Sequence, residues 1–175
     1  MAKGFLRSGD EQSFVGVYEY WQDARDGLRL LVNHKNSRNR FLGMTPEEAQ
    51  GFLIERQQEL DYQSGLALLG SIEAILQLDF HCRVQNKLKD PLSREFRELK
   101  KSIQRRISLE EHILKAWQTI YPETRPLFQP LSKAIKFRHW LAHGRYWLHH
   151  RSERFNFNEL YEIAELMQNS LPLKN

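Results

Sequence analysis

Apolar residues along this chain recur at alternating steps of three and four, the signature of helices with one buried face. Phe14, Val17, Trp21, Ala24, Leu28 and Leu31 follow that spacing and predict a helix over residues 13–33. Gly27 weakens it modestly, and the β-branched and aromatic side chains of residues 14–20 leave a strand as the competing reading there. Residues 34–40 hold no apolar side chain and read as a polar loop that returns the chain. Thr45-Pro46-Glu47-Glu48 then supplies a hydroxyl cap, a proline at the first helical position and a glutamate placed for a reciprocal capping box.

The helix this opens is expected over residues 45–80, burying Phe52, Leu60, Leu66, Leu69, Ile72, Ile75, Leu76 and Phe80, with Gly65 and Gly70 marking a bend or a close helix approach. Asp90-Pro91 repeats the cap-then-proline logic for residues 90–106, and Ser108-Leu109-Glu110-Glu111 opens a helix over 108–117. Pro122, Pro126 and Pro130 forbid a long helix between residues 121 and 130. Helical spacing resumes at Leu131, Ala134, Ile135, Arg138, Leu141 and Ala142, predicting residues 131–143, with Gly144 either ending that helix or tolerated within it. Leu160, Ile163, Ala164 and Met167 define a last helix over 158–170. The expectation is an all-α bundle of five to six helices around a long central one.

A length of 175 residues suits one domain spanning the chain, and 41% apolar with 27% charged residues is a globular composition. No unbroken run of about 18 apolar residues is present, and the first residues lack the apolar core of a secretory signal, so the expected address is the cytoplasm, with no membrane partner. The single cysteine, Cys82, excludes an internal disulfide and a thiolate zinc site. The formal charge of +4 is unevenly spread. Residues 45–80 are mostly acidic, residues 87–106 mostly basic, and Lys133, Lys136, Arg138, Arg145 and Arg151 form a second basic stretch with no acid between them. Two basic segments in one small chain fit a polyanionic partner such as RNA, or for the first segment a solvated helix face.

The candidate chemistry lies in Phe137-Arg138-His139-Trp140-Leu141-Ala142-His143-Gly144-Arg145-Tyr146-Trp147. Arginine holds a phosphoryl group with two parallel donors, and histidine is the side chain type that exchanges protons near neutrality. On a straight helix Arg138 and His143 lie about 140° apart around the axis, so one copy does not bring both onto one face. A second copy of the helix across a two-fold axis completes such a constellation, which makes a homodimer the expected assembly. Taken singly, Arg138 reads as a surface or ion-pair residue and His143 as a hydrogen-bonded structural histidine.

Over residues 132–147 the chain resembles the HEPN superfamily, whose signature is an arginine, a polar residue, then a histidine a few residues on, often with a tyrosine nearby; Arg138, His139, His143 and Tyr146 fill those places. His139 stands where Asn or Asp is frequent, and Tyr146 follows His143 at three residues rather than two. The resemblance implies an all-α, commonly dimeric, metal-independent endoribonuclease, with toxins of toxin–antitoxin and phage-defence systems among its relatives and an antitoxin protein as a further partner. Arg138 and His143 would be catalytic, with His139, Arg145 and Tyr146 in supporting or RNA-binding roles. The chemistry that fits is attack of a ribose 2′-hydroxyl on the adjacent phosphorus, leaving a cyclic phosphate and a free 5′-hydroxyl without a metal.

His139 and His143 stand four apart and His149-His150 follow, a spacing that can place two metal ligands on one helix face, but the absence of a nearby acidic or sulfur ligand leaves the expectation at no metal and no cofactor. Glycine-rich phosphate loops are absent. The rival readings are a non-cleaving module of the same fold that binds RNA, nucleotide or protein, and an assembly protein whose Arg138 and His143 serve an interface.

Overall fold

The first helix begins where the apolar spacing predicts: the Ser13 hydroxyl accepts the Gly16 N–H at 3.0 Å, and α1 (Phe14–Asn33) follows. The computed structural model describes residues 6–33, 41–103, 106–150 and 153–174, so the loop expected over 34–40 lies outside the described residues. At α2 (Pro46–Gln85) both halves of the capping box form, Glu48 N–H to the Thr45 hydroxyl at 3.2 Å and Thr45 N–H to the Glu48 carboxylate at 2.8 Å. This helix outruns its expected end at 80. Asp79 and Arg83 pair one turn apart inside it, so the last turn is held by charge where the apolar pattern has stopped.

Asp90 caps α3 (Pro91–Ser102), accepting the Ser93 N–H at 3.0 Å; α3 stops short of the expected 106. Ser108 caps a wide helical turn, Leu109–Leu114, in which the Ile113 N–H reaches back five residues to the Ser108 carbonyl at 3.3 Å. That turn runs into α4 (Lys115–Ile120). A short turn at Pro122–Thr124 leads to α5 (Arg125–Ala142), and α6 (Phe157–Ser170) closes the bundle with a second capping box at Asn156 and Glu159. No strand occurs among the described residues, so residues 14–20 are helix and the protein is an all-α bundle with a long central helix.

The prolines did not keep the chain from coiling between 121 and 130. Pro126 falls in the first turn of α5, where its missing N–H has no intrahelical partner to lose, and only Pro130 costs a hydrogen bond inside the helix. Burial offsets that cost: Leu127, Phe128, Leu131, Ala134, Phe137 and Trp140 are all in the core. Each fully buried Phe or Leu stabilises by roughly 1.5–3 kcal/mol against a proline penalty of about 3. The buried stripe of α5 is therefore rotated from the one expected, and Arg138 sits on its half-buried shoulder, next to Phe137.

Helices α1, α3, α5 and α6 all pack on α2. Its apolar middle is long and apolar enough to cross a bilayer by composition, yet Leu68, Leu69, Ile72, Leu76 and Phe80 are spent on the bundle core. Gly65 marks a close approach: a Cβ there would lie 2.8 Å from Leu160 Cδ1 of α6. Gly70 has open space instead.

Candidate active site

The end of α5 is shaped by a helix stop built into the sequence. The Gly144 N–H bonds the Leu141 carbonyl and the Arg145 N–H bonds the Trp140 carbonyl at 3.1 Å, with Gly144 at φ +77°. This paired closure needs a left-handed residue, which glycine supplies without strain, so Gly144 ends the helix and His143 becomes its last half-helical residue. Arg145 adopts the left-handed region too, at φ +59°, and is held there by its side chain. Its guanidinium makes a bidentate pair with Glu59 of α2 at 2.7 and 3.0 Å and lies over the Tyr62 ring. The Arg145 hydrogen bond is the main cause that holds the Glu59 carboxyl below its ordinary range.

The two signature residues engage different neighbours. Arg138 reaches across to α2 and forms an ion pair with Glu73 at 3.2 Å, at 35% side-chain exposure. Its Nε is buried and finds no hydrogen-bond partner among the described residues. His143 is exposed, and its ring lies against that of His139, one turn back, with centroids 4.2 Å apart. His139, also exposed, touches Trp147 at 5.8 Å. Two adjoining hollows of about 510 and 440 Å3 share Arg138, Ile135 and Glu110 as walls. The larger continues past Lys136, His139 and Trp147, and the smaller past Glu73 and Arg106. His143 lines neither hollow and stands beside His139 at the helix end.

Other residues of the basic stretch have structural work. Arg145, expected as a phosphate contact, is occupied by Glu59. Tyr146 is 83% exposed and meets Trp147 edge-on at 4.8 Å. His149 is buried against Phe137 and Trp140, so it belongs to the core rather than to a ligand set. Among the described residues no three His, Cys, Asp or Glu side chains gather in a way that would hold a metal ion.

The fold also adds what the linear sequence hides. No acid lies near Arg138 in sequence, but Glu73, Glu110 and Glu153 all line the two hollows, and Arg106 joins them from the segment before the wide turn. Glu73 and Glu59 are far from their arginine partners in sequence, and no local pattern points to either. The class defined at this level is an all-α bundle that presents an arginine, two imidazoles and an indole at the C-terminal end of one helix. Among protein-family models, curated proteins and solved structures, none matches this chain.

Proposed function

We propose that the chain is a metal-independent endoribonuclease of the HEPN type, acting as a cytoplasmic homodimer on RNA, with its toxicity held in check by an antitoxin-like protein. The observation that carries this reading is the shared wall: Arg138 lines both hollows, its Nε makes no hydrogen bond among the described residues, and exposed His139 lines the larger hollow with His143 stacked against it. In the reaction a ribose 2′-oxygen attacks phosphorus and the bond to the 5′-oxygen breaks. His143 takes the 2′-hydroxyl proton, an imidazole of the second copy donates one to the leaving 5′-oxygen, and Arg138 stabilises charge on the phosphoryl oxygens. A phosphate entering the groove competes with Glu73 for the guanidinium. Trp147, half-buried beside His139, offers a face for a splayed base.

Incubation with single-stranded RNA in excess EDTA tests the proposal. Cleavage to cyclic-phosphate ends is expected to survive chelation and to fall by about a hundredfold or more in His143→Ala and in Arg138→Ala. Cells expressing the native chain should lose viability, and the His143→Ala chain should spare them. Scission that needs a divalent ion, or that persists in both folded variants, refutes the mechanism.

A specific observation favours a second reading, a non-cleaving module of the same fold. Three carboxylates, Glu73, Glu110 and Glu153, line the hollows and oppose the approach of a polyanion. Tight binding of RNA or a protein partner without scission is its expected result.

A further inference from the structure

We infer that the cleft between α1 and α2 binds an elongated, mainly apolar small molecule with a carboxylate at one end and a hydrogen-bonding oxygen at the other. The cleft has a volume of about 620 Å3, within the usual range for ligand sites, and Val17, Leu28, Leu60 and Ala67 give it apolar walls. It lies apart from the two hollows at Arg138 and shares no wall residue with them.

Two polar groups in this cleft make no hydrogen bond among the described residues. Ser64 is 3% exposed and lines the cleft, yet its hydroxyl makes no hydrogen bond among the described residues. Ser71, two turns further along the same helix, shows the usual solution, bonding the carbonyl one turn back, at Ala67, at 3.1 Å. A buried hydroxyl without such a bond is costly unless a ligand oxygen meets it. Arg56 is the second group: it is exposed, lines the cleft and rests its guanidinium over the Phe52 ring at 4.8 Å.

The neighbouring carboxylate does not neutralise Arg56. Glu59 also lines the cleft and feels the charge of Arg56, but both its oxygens accept from Arg145, so two arginines share this one carboxylate and that end of the cleft keeps an excess positive charge. Arg56 and Ser64 stand eight residues apart on one helix, about 12 Å along its axis. Eight residues make about 2.2 turns, so the two positions are offset by roughly 80° around the helix, and both still line the cleft. A ligand that satisfies both is therefore a chain of roughly ten carbons with oxygen at each end, and the exposed Tyr20 ring adds to the wall it would lie against.

Calorimetric titration of the full chain with 10-hydroxydecanoate, decanoate and 1-decanol, each below its aggregation limit, tests this. One saturable site per chain is expected, with 10-hydroxydecanoate tightest. Arg56→Gln should weaken both carboxylates roughly three- to fivefold and leave decanol unchanged. Ser64→Ala should remove the advantage of 10-hydroxydecanoate over decanoate, about fivefold. Ala67→Phe, which fills the cleft, should abolish binding of all three while circular dichroism stays helical. Absence of saturable binding to the native chain overturns the inference, as does binding that ignores both Arg56→Gln and Ser64→Ala. Should Ala67→Phe not fold, those two surface and wall variants decide the matter.

Discussion

The most consequential single side chain outside the motif is Arg83. It is 2% exposed and reaches four groups: Asp79, Asp90, the Ser93 hydroxyl and the Pro172 carbonyl, while its guanidinium lies over the Trp117 ring. Asp79, fully buried, also accepts the Lys174 N–H at 2.7 Å, and burial is the main cause that raises its pKa. Arg83→Leu strands that carboxylate and should cost about 3–5 kcal/mol in urea unfolding, whereas Arg83→Leu with Asp79→Leu should cost clearly less. Asp61 tells a related story. It accepts the Trp21 indole N–H at 2.7 Å, and burial raises its pKa above the ordinary aspartate value. A raised folded pKa makes the charged form unfavourable at neutral pH, a penalty relieved as pH falls through that value. Asp61→Asn keeps an acceptor for Trp21 and removes the charge, so it should stabilise at pH 7 and lose its advantage in acid, as thermal melts at the two pH values would show. Arg138 and His143 were legible in sequence from residue type and spacing. Glu73 was not, because an ion pair between helices leaves no local signal.

At the scale of elements, two glycines of α2 should answer the same substitution with opposite signs. Gly65→Ala pushes a methyl against Leu160, which is fully buried and cannot retreat, and should destabilise by about 1–3 kcal/mol. Gly70→Ala meets nothing within 4 Å and should gain up to about 1 kcal/mol of helix propensity. Chemical denaturation of the two variants checks both. Gly144→Ala strains the left-handed residue that stops α5, so it should cost about 1 kcal/mol and alter the His139–His143 contact, visible as changed imidazole resonances. Helix starts at Thr45, Asp90 and Ser108 could be read from sequence, since each cap is a local bond between a side chain and a nearby N–H. The start of α5 could not. Whether a proline is tolerated depends on how much apolar surface the helix buries on its neighbours, which is a property of the bundle.

Across the whole molecule, α2 is the spine on which α1, α3, α5, α6 and the motif turn are hung. The Glu59–Arg145 pair links that spine to the turn after His143, and its sign with pH follows from the depressed Glu59 pKa. The stabilisation is fully present above the ordinary glutamate value of 4.5 and is lost as pH falls through the lower folded value. Tyr146 and Trp147 fluorescence should therefore change below that range in the native chain and be unresponsive there in Glu59→Gln. The all-α class, the order of the helices and the capped starts of α2 and α3 were determined by the sequence itself, because a 3.6-residue period and a capping side chain act over a few residues. The same range covers the joint presence of an arginine and a histidine at one helix end. Tertiary structure alone decided which acids face those groups, which helix face Arg138 occupies and where an apolar cleft keeps an unpartnered hydroxyl. Those outcomes depend on contacts between distant segments, and distant contacts are set by how the buried faces of all the helices fit together.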